Sequence, residues 1–122
     1  MFKAKLLEGV AHFNSREFWE AHESWEELWL EAKTDLHQYL QGLIQLAAAY
    51  HHVKRGTTRG AVRLFDAALT KLEAFPLTHC GIDRASAVAA ARRDRERLVN
   101  GEEAGEFPFL EMIGEVPPLE SW

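Results

Sequence analysis

The sequence predicts an all-α fold: an antiparallel up-and-down helical bundle of about five helices, followed by an irregular C-terminal tail. Three observations carry that prediction. Apolar residues recur at helical spacing along most of the chain. No run of six residues alternates apolar and polar as a half-buried strand does. The breaks between the apolar stripes are short, which makes successive helices antiparallel neighbours. The length, 122 residues, is that of a single core. Residues 1–100 read as the bundle domain, and residues 101–122 as a tail packed on the bundle or on a partner.

Each helix has its own reason. Phe2, Leu6, Val10 and Phe13 share one face of a first short helix, interrupted by Asn14-Ser15. Ser15 is a suitable cap for a second helix bearing Phe18, Ala21, His22, Trp25, Leu28 and Trp29 on one face. Lys33-Thr34-Asp35 breaks it, with Thr34 or Asp35 capping a third helix from about Leu36 to Arg55. Leu36, Leu40, Leu43, Ala47 and Tyr50 are its clearest stripe, and it is expected at the centre of the bundle. Gly56 ends that helix, and Thr57 or Thr58 caps a fourth. Ala61, Leu64, Phe65, Ala68, Leu69, Leu72 and Phe75 follow the helical template there until Pro76 stops it. His79-Cys80-Gly81 reads as a turn, and Asp83 as the N-cap of an Ala-rich fifth helix to about Asn100. The tail holds three Pro, six Glu and no basic residue. Phe107, Phe109, Leu110, Met112, Ile113, Leu119 and Trp122 make it too apolar to be free in water.

Composition excludes several function classes. Nineteen acidic against 14 basic residues give a formal charge of −5, the wrong sign for a general nucleic-acid binder. One Cys allows no internal disulfide and no Cys-based zinc knuckle. Residues 36–53 carry no formal charge, but Gln38, Gln41, Gln45, His37, His51 and His52 lie among them and are costly in lipid. That segment is therefore expected to be a buried central helix, in a cytoplasmic protein with no membrane contact.

Polar side chains on apolar faces mark the candidate site. With Phe18 at zero, Trp25, Trp29 and His22 fall at about 340°, 20° and 40°, and Glu26 at about 80° beside Trp19. On the third helix, with Leu36 at zero, His51 falls at about 60° between Leu40 and Ile44. His22 and His51 lie at similar distances from the intervening break, so they reach similar heights. Buried charge must be paired, hydrogen-bonded or metal-bound. A His22–Glu26–His51 cluster is thus expected, with Gln41 or Gln45 further along. His22-Glu23-Ser24-Trp25-Glu26 has the form H-E-x-x-E, close to the zinc-peptidase H-E-x-x-H helix but with Glu at the second His position.

The run Phe13-Asn14-Ser15-Arg16-Glu17-Phe18-Trp19-Glu20-Ala21-His22-Glu23, followed by Trp25-Glu26 and Trp29, resembles the domain of unknown function 309 family. A second matching block is Leu40-Gln41-Gly42-Leu43-Ile44-Gln45-Leu46-Ala47, with His51 and Gly56 beyond it. The resemblance covers about residues 5 to 95. It implies a small up-and-down helical bundle found in bacteria and archaea, with no assigned reaction. Carried over by position, His22, Glu23, Glu26, Gln41, Gln45 and His51 are the polar residues of the motif.

Several functional readings follow. In one, His22, Glu26 and His51 hold a divalent metal and Glu23 is the general base of a hydrolase-like enzyme. In another the cluster is a hydrogen-bonded clasp, and the protein is an interaction or assembly domain, dimerising through Phe107, Phe109 and Trp122 of the tail. A small-molecule ligand site at Gln41, Gln45 and Arg59 is the third, with Arg59 and Arg63 taking a phosphate-bearing ligand. Cys80 beside His79 is a poor catalytic pair, since adjacent turn residues seldom converge.

Overall fold

The computed structural model describes residues 2–117. Five helices run in sequence: α1 (Phe2–Asn14), α2 (Phe18–Glu31), α3 (Thr34–Arg55), α4 (Thr58–Leu72) and α5 (Arg84–Val99). Each packs mainly on its neighbours in the chain, and α3 lies between α2 and α4. The all-α prediction holds. Among the described residues no helix is long and apolar enough to cross a membrane.

The core is built from the predicted stripes. Phe13, Phe18, Trp25, Tyr39, Tyr50 and Phe65 are all fully enclosed or nearly so. Phe13 meets Phe18 edge-on at 5.0 Å, and Tyr50 meets Phe65 the same way at 5.0 Å. Helices α1 and α2 meet closely at Gly9. A Cβ there would stand 2.1 Å from Trp25 Nε1, so only glycine lets α1 lie on the indole. Trp25 then donates its Nε1–H to Leu6 O at 3.1 Å.

Three starts differ from expectation. Ser15 does not cap α2; Arg16 takes a left-handed φ of 65°, and the N-cap is Glu17 without a side-chain bond. Helix α3 begins at Thr34, whose φ is 54°, after an N-cap at Lys33. Thr57 is the N-cap of α4 but makes no side-chain hydrogen bond. Asp83 does cap α5, accepting from Ser86 N.

The turn at 80–81 belongs to a small hairpin, β1 (Thr78–His79) with β2 (Ile82–Asp83), His79 facing Ile82. Cys80 and Gly81 both have positive φ, as a two-residue I′ loop requires. Two-residue strands are too short to show alternation, so the sequence displayed only the turn. The tail adds a third strip: Ile82 bridges Met112, Asp83 N donates to Glu111 O, and Ile113 N donates to Gly81 O. A side chain at Gly81 would collide with Gly114 O at 2.7 Å.

The tail is fastened along its length. Asn14 donates Nδ2–H to Leu110 O at 3.0 Å and accepts from Leu110 N at 2.7 Å, as a strand neighbour would. Arg16 donates to Phe107 O at 2.6 Å and Pro108 O at 2.8 Å. Asp94, fully buried, accepts from Tyr50 Oη at 2.6 Å and Gly105 N at 3.2 Å. Leu110 is buried, while Phe109 stays 59% exposed beneath the Arg16 guanidinium. Leu119 and Trp122, expected as contact residues, lie outside the described residues.

Candidate functional site: the seam between α2 and α3

The buried residues of α2 are Phe18, Ala21, Ser24 and Trp25. Their mean direction lies at about 310° in the frame above. His22 and Glu26 therefore stand on the flank of the buried face and not within it. His22 is 18% exposed and Glu26 49% exposed. Glu23 is exposed as well. On α3, His51 is half-buried at the matching rim; His52, Gln41 and Gln45 are half-buried too, but on a stripe about 100° further round the helix, where His52 lies against Gly60 of α4.

Trp19 joins the two sides. Its ring stacks on His22 at 4.7 Å and 8°, and tilts against His51 at 5.5 Å. His51 is therefore brought to the seam, but through an indole. His22 Nε2 lies 3.6 Å from Glu26 Oε2, ion-pair distance and too long for a hydrogen bond. The expected clasp is thus absent: one partner is half in water, and the pair is not bonded. The expected metal triad is also unmade. Among the described residues no three His, Cys, Asp or Glu side chains are placed to hold a metal ion. His22 and Glu26 supply two donors, Trp19 contacts the third candidate, and a closed site needs more.

The seam has unsatisfied polarity. His22 Nδ1 and Trp29 Nε1 of α2 are buried there without a hydrogen-bond partner among the described residues, as are Gln45 Oε1 and His52 Nδ1 on another face of α3. Native structures carry few such atoms, and each asks for a reason. Trp29 stacks on His37 at 4.5 Å at the far end of the seam. Burial holds the His51 imidazole below its ordinary value, and the nearby Arg55 and His52 push the same way.

The near end opens into a cavity of about 390 Å³, lined by residues 15–20 of the α1–α2 connection and first turn, and by His51, Lys54 and Arg55. Arg59, expected as a ligand residue, is exposed and not part of this lining, and neither are Gln41 and Gln45. Lys54 and Arg55 are lining residues that the sequence reading does not single out. The signal was present: His51, Lys54 and Arg55 are three and four apart, one helical face. Lys54 donates to Arg16 O at 3.0 Å. Glu17 is engaged by His12 at 2.9 Å, and the lining's other carboxylate, Glu20, is near enough to His51 to favour its charged form. Cys80 is remote and buried, and desolvation raises its thiol far above the reactive range.

Residues 6–64 match the family described as Domain of unknown function (DUF309). The match takes in α2, α3 and every polar residue of the seam, and stops before α5 and the tail. No curated protein matches the chain.

Proposed function

We propose that the protein is a non-catalytic binding module for a small anion with a flat apolar part, such as an aryl phosphate or aryl carboxylate. One observation carries the reading: a half-exposed Trp19 ring and the cations of Lys54 and Arg55 line the same cavity. Arg55 has no carboxylate partner among the described residues. A guanidinium offers a fork of donors to phosphate or carboxylate, and an indole offers a stacking surface. His51, kept toward its neutral form, can accept or donate one hydrogen bond without adding charge. Nothing in this arrangement pairs a nucleophile with a base, so binding is favoured over hydrolysis, and Glu23 is given no role. A cytoplasmic location belongs to the same proposal.

Phenyl phosphate is the probe. Its titration into the full-length protein should shift the Trp19 indole N–H resonance saturably. The shift should vanish in Arg55→Ala while helical content is unchanged. A flat titration at millimolar phenyl phosphate sinks the reading. Saturable zinc binding that is lost in His22→Ala would restore the metal alternative.

A further inference from the structure

Arg16 belongs to two places at once. It lines the cavity, and its guanidinium is spent on the tail, donating to Phe107 O and Pro108 O and covering the Phe109 ring at 4.0 Å. Its backbone carbonyl is meanwhile held by Lys54 Nζ, the cation on the opposite wall. Phe107 extends the link, meeting Phe18 at 5.5 Å and Tyr50 at 5.5 Å. Both acceptors of Arg16 are neutral carbonyls. A phosphate or carboxylate is the stronger partner for a guanidinium, because the bonds become charge-assisted on both sides. Lys54 faces the same choice between a carbonyl and an anion.

We propose that an anion in this cavity and the docked tail compete for Arg16, so that ligand binding loosens residues 105–113 and tail docking weakens the ligand. The inference rests on the binding reading above and adds its regulation. Linkage makes the coupling reciprocal: whatever the ligand does to the tail, the tail does to the ligand by the same factor.

The test measures both directions on the full chain with phenyl phosphate. Amide exchange at Leu110 and Ile113, whose N–H groups donate to Asn14 Oδ1 and Gly81 O, reports tail docking. Saturating probe should speed both. Asn14→Ala removes two tail bonds, and Leu110→Ala removes the tail's buried anchor; neither side chain lines the cavity. Each should tighten phenyl phosphate binding about fivefold or more. Unchanged or slower exchange with a normal Trp19 shift overturns the coupling and leaves the binding reading standing. Unchanged affinity in both variants does the same. No Trp19 shift in any of the three proteins overturns both.

Discussion

Trp25 and Trp19 sit on the same helix six residues apart and live in different solvents. Trp25 is fully enclosed, its N–H is bonded to Leu6 O, and Gly9 is shaped to its ring. Trp19 is 47% exposed, stacked on one imidazole and leaning on another, beside a cavity. The α1 side of α2 is packed and satisfied around this ring, and its outer edge is tied by the Lys5–Glu27 ion pair at 2.9 Å. The α3 side is apolar at its centre but ragged at its rim, where polar atoms lack partners. A protein gains stability from the first kind of surface. It keeps the second kind when something other than stability selects it.

Substitutions that treat the two sides alike should give opposite results. Trp25→Ala empties the core between α1 and α2 and removes the bond to Leu6 O, so a loss of about 3–5 kcal/mol is expected. Chemical denaturation should place its midpoint far below wild type, or the protein should fail to fold. Trp19→Ala removes a ring already half in water, and its cost should stay within about 1 kcal/mol. The same variant should nonetheless lose phenyl phosphate binding, read by isothermal titration calorimetry because the indole reporter is gone. A large stability loss with binding intact would erase the distinction between the two faces.

The smallest effect is pH-dependent. The folded state holds His51 below the ordinary imidazole value of about 6.5, so the unfolded chain takes up its proton first as pH falls. Stability is therefore full above about pH 6.5 and declines as pH drops through the lowered native value. Burial lowers His79 in the same direction. His51→Gln should flatten part of the acid-side decline and leave the His79 share. Denaturation midpoints from pH 7.5 to 5 would check this, and an unaltered slope would show that His51 is open to solvent.

Much of this molecule was legible in order. The stripes of α1, α3 and α4 name their buried residues because large apolar side chains dominate their own environment. The Asp83 cap was legible because its bond is local. The site was half legible. The flank position of His22 and Glu26 is hidden in the sequence because the large rings of Phe18, Trp25 and Trp29 centre the apolar face near Phe18. Ser24 and Ala21, small and unremarkable in sequence, pull that centre the other way. Arg16 and Asn14 could not be read as tail ligands at all, since nothing local marks a partner more than 90 residues away.

That separation also fixes when the tail can dock. The extensive helix–helix contacts of the bundle all join successive helices. The Asn14–Leu110 clamp instead closes a loop of 96 residues. Closing such a loop in an unfolded chain costs on the order of 4 kcal/mol of entropy, more than two hydrogen bonds return. Once the helices have assembled, that cost is already met, and only a short segment remains to be ordered. Clamping is thus the final stage of folding and the first to reverse. Partial unfolding should begin at residues 105–113 while the five helices remain, with protease nicks near Gly105 appearing ahead of any loss of circular dichroism.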